Sequence, residues 1–282
     1  MISIKHGLGV ALLTLSIGCA NKAEIVHHTQ PVKWVLSEGL CEPETVIHDT
    51  VLDTLIVSNI CGFKKNGEGY LSTLTRDGAM KTARWIDTLD APAGMAILDR
   101  TLYVTDLDKV QVINLDRGEI VSTLGSFADA KAFNDLAVTP DGTIYVSDSA
   151  RHKVIKIQDG IPTPFPNDTT EFKYANGMHL DENRLYIGGD RLWVIDLQSM
   201  HVEPIDVQGL SDIDGIETDG HGGLTASIVG GDVWHLPKEG VPAVWTARGV
   251  SSTNHAYLPD NDFVIIPTGY DNTVIAFQAP NR

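Results

Sequence analysis

Polar side chains that carry oxygen stand directly before short apolar runs at intervals of about forty residues. The matching positions are Glu44, Ala93, Asn134, Asn176, Asp214 and Asn254, of which Ala93 alone has no side-chain oxygen. Carboxylates balance the charge of a hard divalent cation such as Ca²⁺, and amide carbonyls add coordination without repulsion. No cluster of Cys and His in the sequence favours zinc instead. The pattern predicts an oxygen-ligand metal site if the fold brings these positions together.

These residues also have a simpler interpretation. Asn and Asp favour the turn that leads into a strand, where the side chain bonds to its own backbone. Glu44 is a poor turn former, yet it stands at the matching position. Its presence favours a shared role over six separate turns.

The same interval reflects a repeated unit, seen in NDLAVTPDGTIYVSDS from residue 134. Each unit has a short apolar strand, a turn rich in Asp, Asn and Gly, and a second apolar strand, and most units add a third, such as 153–157. Four short antiparallel strands in about forty residues are typical of a propeller blade. The sequence therefore predicts an all-β, six-bladed β-propeller over residues 33–282. A seven-bladed ring is the alternative if the longer first unit is split.

The last unit ends soon after its third strand, at Phe277. The segment KWVL at 33–36 is predicted to supply the missing outer strand and so to close the ring. Because the innermost strand of each blade lines the central channel, the residues that open these strands should gather at one mouth of that channel.

The N-terminus combines Lys5 with an apolar run at 7–17, which is too short for a membrane-spanning helix and suits a signal peptide. The run ends in the letters SIGC, a partial match to the bacterial lipobox. We therefore expect a lipoprotein signal peptide at 1–18, a lipidated Cys19 and a tether at 19–32. The protein would face the periplasm, with the outer membrane favoured. An ordinary cleaved signal peptide with an incidental cysteine is the alternative.

Cys41 and Cys61 are the other two cysteines, and they flank the first predicted strand pair. A hairpin returns to the end where it began, so the two thiols could meet, and export would favour a disulfide. A loop of this length would contribute about 3 kcal/mol. Two buried thiols are the alternative.

The formal net charge of −16 argues against nucleic acid and against an anionic lipid surface as partners. We expect a small-molecule substrate, and contact with a membrane only through the N-terminal anchor. The sequence contains no Gly-x-Ser-x-Gly elbow and no phosphate-binding loop, so a serine hydrolase or a nucleotide enzyme is poorly supported.

Several short segments resemble the senescence marker protein/gluconolactonase/luciferin-regenerating-enzyme-like family. The segment ETVIHD from Glu44 is similar to its first blade, and FNDLAVTPDGTIYVSDS from Phe133 to its third. YANG at 174–177 resembles the Asn-Gly step of the fourth blade, and IDGI at 213–216 the Asp-Gly step of the fifth. The four segments occur in the family's order and spacing.

The resemblance implies that Glu44, Asn176 and Asp214 bind a divalent metal, most often calcium and sometimes manganese or zinc. It implies that Asn134 completes the metal shell or contacts the substrate, and that Asp214 activates water. The implied activity is hydrolysis of a lactone or related ester. The sugar-lactone members carry an arginine where this chain has Ala132, so a sugar lactone is not the expected substrate.

Asn254 and His255 are possible additional site residues in the sixth blade. A histidine at this position could act as a general base, although a surface or capping role is the simpler interpretation. Two further functions remain open: a streptogramin lyase-like enzyme, and a non-catalytic binding propeller of the NHL-repeat type. A plain interaction propeller does not need Glu44 together with Asn176 and Asp214.

Overall fold

The computed structural model describes residues 25–280 except for 126, 168, 230 and 247–251. Within these limits the chain folds into six β-sheets. Each sheet forms one blade, and the inner strands of the blades contact one another in a ring. No helix in this described part is long and apolar enough to cross a membrane. The predicted signal peptide at 1–18 and Cys19 lie outside the described residues.

The strands are named in chain order. They are β1 (Val26–Thr29), β2 (Val32–Leu36), β3 (Pro43–Asp49), β4 (Thr54–Asn59), β5 (Gly69–Leu74), β6 (Met80–Leu89), β7 (Pro92–Leu98), β8 (Thr101–Asp106), β9 (Lys109–Asn114), β10 (Glu119–Leu124), β11 (Phe133–Val138), β12 (Ile144–Asp148), β13 (Lys153–Gln158), β14 (Ile161–Phe165), β15 (Met178–Asp181), β16 (Arg184–Ile187), β17 (Leu192–Asp196), β18 (His201–Ile205), β19 (Ile213–Thr218), β20 (Leu224–Ile228), β21 (Asp232–Leu236), β22 (Ala243–Thr246), β23 (Ala256–Leu258), β24 (Phe263–Thr268) and β25 (Thr273–Gln278), with a 3-10 helix at Gly269–Asp271.

Each of the first five blades contains four consecutive strands, and the innermost strand comes first in the chain. Blade 1 starts at β3, and blades 2 to 6 start at β7, β11, β15, β19 and β23. The prediction of an all-β, six-bladed propeller is confirmed, and the long first unit forms one blade rather than two.

The ring closes through the N-terminal segment. Strand β2 pairs antiparallel with β25 as the outermost strand of blade 6, with Val35 opposite Ile275. This confirms the predicted role of KWVL at 33–36. Backbone hydrogen bonds therefore join the two ends of the described chain within one sheet.

The tether predicted at 19–32 is wrong for its second half. Strand β1 pairs in parallel with β22 and adds a fifth strand to blade 5, with His28 opposite Trp245. The outer edge of a blade presents unpaired backbone groups, and an extended segment that starts Ile25-Val26 satisfies them. Ile25 also packs against the core between blades 4 and 5.

Apolar side chains of adjacent blades meet to form the core. Between blades 6 and 1, for example, Val46 and Val57 pack with Ala256 and Ile265, and all four are buried. Burial of such faces between sheets is the main driving force for assembly of the ring. The inner strands are thereby held in fixed positions around the channel.

Cys41 and Cys61 form a disulfide across the base of blade 1, with Cα atoms 5.0 Å apart. The backbone N–H of Cys61 also donates to the Cys41 carbonyl oxygen at 3.3 Å. This crosslink fixes the segment that leads into Glu44.

Candidate metal centre

A β-bulge opens the inner strand in blades 1, 2, 3 and 5, where two residues lie opposite one residue of the second strand. In blade 3 Asn134 and Asp135 together face Ser147. A bulge interrupts the alternation of side chains and re-aims the residues within it. It thus brings polar residues to the start of strands that otherwise pack into the core.

Serine hydroxyls fix three of these four bulges, in blades 1, 3 and 5. Ser58, Ser147 and Ser227 each accept a hydrogen bond from the backbone N–H of the second bulge residue, at 2.9 to 3.0 Å. The Ser58 hydroxyl donates onward to the carbonyl oxygen of Ala93 in the next blade at 2.7 Å. The polar ring is therefore built on hydrogen bonds that run from blade to blade.

Glu44 and Asp214, the two carboxylates of the predicted set, are both buried. The Thr45 hydroxyl donates to Glu44 Oε2 at 2.5 Å. Burial, followed by the charge of Asp214, raises the pKa of Glu44 well above its usual range. The charge of Asp214 in blade 5 therefore acts on Glu44 in blade 1.

Asp135 is the central residue that the sequence analysis missed. It is 1 % exposed, and its Oδ2 accepts hydrogen bonds from the backbone N–H of Met178 at 2.7 Å and from Asn254 Nδ2 at 2.9 Å. Its Oδ1 accepts from the backbone N–H of Leu136 at 2.8 Å. Asp135 thus joins blades 3, 4 and 6, and the Asn-Asp pair in FND was the available signal for it.

Within the described part of the chain, three buried acceptor oxygens at this mouth have no hydrogen-bond partner. They are Asn134 Oδ1, Asn176 Oδ1 and Asp214 Oδ1, from blades 3, 4 and 5. Buried acceptors without a partner are uncommon and costly, by about 1–3 kcal/mol each. All three belong to the set predicted to bind the metal, and the residues present therefore fit a hard cation.

The donor set is mixed rather than purely acidic. Among the described residues, no group of three or more His, Cys, Asp or Glu could hold a metal ion. The predicted set has only two carboxylates, Glu44 and Asp214, and its other donors are the amides of Asn134 and Asn176. Two carboxylates with neutral oxygens match the preference of Ca²⁺ and leave no thiolate or imidazole donor for zinc.

Among the described residues, no lysine or arginine acts on the pKa values of the buried carboxyls. Burial raises the pKa of Asp135 to about 7 and that of Asp214 to about 7. Burial, and then the charges of Asp214 and Asp135, raise the pKa of Glu44 well above its usual range. Hydrogen bonds lower all three pKa values. A bound dication would supply the missing positive charge.

The metal-free protein should lose stability as the pH rises from about 4 to about 7. Asp135 and Asp214 hold protons in the folded state at pH values where the unfolded chain has released them, so the free energy of unfolding falls across this window. Ca²⁺ should flatten the dependence, because it stabilises the ionised carboxylates. Urea denaturation at several pH values, with chelator or with Ca²⁺, measures both curves. A metal-free stability that rises through this window would contradict the assignment.

The two additional candidates of blade 6 have different surroundings. Asn254 is buried and bound to Asp135. His255 is fully buried, with Nε2 2.8 Å from Thr225 Oγ1 and Nδ1 3.0 Å from Ser227 Oγ. Burial lowers the pKa of His255 to about 3. With both ring nitrogens bonded to hydroxyls, His255 holds blades 5 and 6 together and is not placed as a general base.

Glycine is needed where the inner strands approach closely. A methyl group on Gly177 would overlap the carbonyl oxygen of Asp214, and one on Gly94 would overlap Asp135 Oδ1. The Asn-Gly step at 176–177 therefore has a steric reason: it lets blade 4 come near enough for Asn176 to share the site with Asp214.

Tyr174, two residues before Asn176, contacts His152. Tyr174 has a positive φ of 56°, the residue is 55 % exposed, and its ring packs edge-on against His152. His152 Nδ1 accepts a hydrogen bond from the Tyr174 backbone N–H at 2.9 Å, so the neutral imidazole carries its proton on Nε2. The backbone N–H of Ala132 donates to Asp148 Oδ1 at 3.2 Å and holds the loop that contains Ala132.

The fold and this mouth define the protein as a six-bladed β-propeller with a buried, oxygen-rich end of the channel. Solved structures of the same fold include a catalytically inactive histidine-to-alanine variant of virginiamycin B lyase from Staphylococcus aureus with quinupristin. That structure has a TM-score of 0.61 and 10% identity, and the match covers 88% of this chain and 98% of that one.

Selenomethionine-substituted virginiamycin B lyase from the same organism matches with a TM-score of 0.59 and 13% identity, over 88% of this chain and 89% of that one. At these identities the likeness shows the fold. No family model and no curated protein matches the sequence.

Proposed function

We propose that the protein is a divalent-metal-dependent hydrolase, with Ca²⁺ as the metal, that acts on lactones or related esters at the mouth formed by Glu44, Asn134, Asn176 and Asp214. One observation carries the proposal: three of these four residues present buried acceptor oxygens that have no partner among the residues that the structure describes. The resemblance of the surrounding segments to a metal-dependent hydrolase family supports the reaction class.

In the proposed reaction Glu44, Asn134, Asn176 and Asp214 would hold the metal, and a bound dication would supply Lewis-acid polarisation of the substrate carbonyl. Water adds to the carbonyl carbon, and the bond between the acyl carbon and the ester oxygen breaks. The ester oxygen takes up a proton, so a lactone opens to a hydroxy acid and an ester gives an acid and a free alcohol.

Asp214 is the proposed acceptor of the proton that the water loses. A general base must lie within reach of the proton that it takes, and Asp214 is one of the residues proposed to lie around the metal. Asp135 is a positioning residue, because it fixes Asn254 and the start of β15 beside Asn176.

A lyase acting at the same mouth is the second candidate, favoured by the solved structures of the same fold. The inactive variant among them lacks one histidine. In this chain His255 is buried and hydrogen-bonded on both sides. His152 accepts a hydrogen bond at Nδ1, which leaves Nε2 as a donor. Neither arrangement offers a free basic nitrogen, so hydrolysis is the better-supported reaction.

A panel of aliphatic lactones and aryl esters, assayed with Ca²⁺, Mn²⁺, Zn²⁺ or chelator, tests the proposal. We expect Ca²⁺ to raise the melting temperature and at least one substrate class to be hydrolysed only with metal. Hydrolysis that survives the chelator would exclude a metal-dependent reaction. Stabilisation by Ca²⁺ without turnover of any substrate would leave a structural metal and a binding propeller.

A further inference from the structure

A cavity of about 590 Å³ occupies the opposite end of the channel, which we call the turn mouth. It is lined by the later halves of the inner strands and by the turns that follow them. Its apolar wall includes Ile97, Val138, Met178, Leu180 and Leu258. Polar and apolar groups contribute about equally to the lining, and a concave site of this volume is large enough for a small molecule.

Glu217 and His179 face each other in this wall. Glu217 Oε2 lies 3.4 Å from His179 Nδ1. Burial lowers the pKa of His179 to about 4, so the imidazole is neutral and brings no charge to balance the carboxyl group. Burial, with the charge of Asp135, raises the pKa of Glu217 to about 8. Within the described part of the chain, Glu217 has no ion pair with a lysine or arginine.

The rim of the turn mouth carries two acids and two nitrogen bases. Arg76 Nη2 donates to Asp260 Oδ1 at 2.6 Å, and Nη1 is 3.5 Å from Asp53 Oδ1. Asp53 Oδ1 also lies 2.9 Å from His48 Nε2. The charge of the Arg76 guanidinium is therefore balanced by two carboxylates at the rim, whereas Glu217 lies deeper in the wall beside His179.

We propose that the turn mouth binds an organic ammonium ion with an apolar body, with Glu217 as its counter-ion. The aliphatic side chains take the apolar body, and the carboxylate of Glu217 meets the ammonium group. Calcium needs six to eight oxygen ligands, whereas the inner-strand part of this wall offers one carboxylate among aliphatic side chains. The cavity reaches Thr45 and Asn254 beside the proposed metal centre, but Glu217 and the aliphatic wall are not part of the proposed metal-binding set, so either proposal can fail alone.

Calorimetric titration with phenyltrimethylammonium tests the site, because this probe keeps its charge at every pH. We expect the wild type to bind it and to ignore the neutral analogue benzyl alcohol. Glu217→Gln should weaken binding at least about tenfold, which corresponds to about 1.4 kcal/mol. Glu239→Gln, an exposed residue of the same blade that does not line the cavity, makes the same change of charge and should bind as the wild type does.

Val138→Phe provides a second variant, because it fills the cavity from another wall and leaves Glu217 intact. It should also abolish binding, while thermal melting shows that both variants stay folded. The proposal is overturned if the wild type does not bind the probe, if Glu217→Gln binds it equally well, or if Val138→Phe leaves binding unchanged. If Ca²⁺ binds through Glu217 and the probe does not bind, the proposal is also overturned, and the turn mouth is a metal site.

Discussion

Asp214→Asn is expected to reduce metal-dependent hydrolysis about a thousandfold, the scale on which a general base contributes. The substitution keeps the shape of the side chain and an acceptor oxygen but removes the basic carboxylate and half of the carboxylate charge at the proposed centre. The rise in melting temperature caused by Ca²⁺ should shrink for the same reason. Initial rates on the best substrate of the panel and thermal melting with and without Ca²⁺ measure the two effects.

Asp212→Asn is the matched control, since Asp212 is exposed and stands two residues earlier. It should hydrolyse the substrate and respond to Ca²⁺ as the wild type does. If Asp214 had a purely structural role, the metal-free Asp214→Asn protein would be less stable than the metal-free wild type. We expect the metal-free Asp214→Asn protein to be at least as stable as the wild type near pH 8, because the variant removes a buried carboxyl that has no basic partner. Equal hydrolysis by both variants would rule out Asp214 as the base.

Asp135→Ala is expected to lower the free energy of unfolding by about 3 kcal/mol. The change removes an acceptor from Met178, Leu136 and Asn254, and it leaves their buried donors unsatisfied. It also frees the side chain of Asn254 at the centre of the channel. Urea denaturation of the metal-free protein at pH 7 gives the difference in stability.

Asp129→Ala removes the same charge from the connection that precedes β11, where the side chain of Asp129 is 98 % exposed. Surface substitutions usually change the free energy of unfolding by less than about 0.5 kcal/mol. We expect a change of that size for Asp129→Ala. If Asp135→Ala were no more destabilising than Asp129→Ala, Asp135 would not hold blades 3, 4 and 6 together as described.

The fold could be predicted because each blade repeats the same local pattern of strand, turn and strand. The spacing of the repeats predicted six blades, and the short last repeat predicted the closing strand at 33–36. Convergence of Glu44 and Asp214 followed from topology, since every inner strand opens at the same end of the channel. These features depend on periodicity, which a single sequence displays.

Other features depend on geometry that periodicity does not encode. Strict alternation would point Asp135 away from Asn134, and only the bulge opposite Ser147 brings both into the polar ring. His255 follows a site residue in sequence, but the strand carries its ring between two blades. Strand β1 was missed because pairing with a distant outer edge leaves no local sequence signal.

The closing strand has a mechanical consequence. The backbone runs from β2 in blade 6 directly into blade 1, whereas β2 is joined to the rest of blade 6 through its hydrogen-bonded ladder with β25. Any pull on the chain upstream of this strand loads the outer rims of blades 5 and 6 first, through β1 and β2. The disulfide between Cys41 and Cys61 lies just beyond and anchors the next segment to blade 1. The outer strands and the disulfide therefore bear the tension before it can reach Glu44 at the central channel.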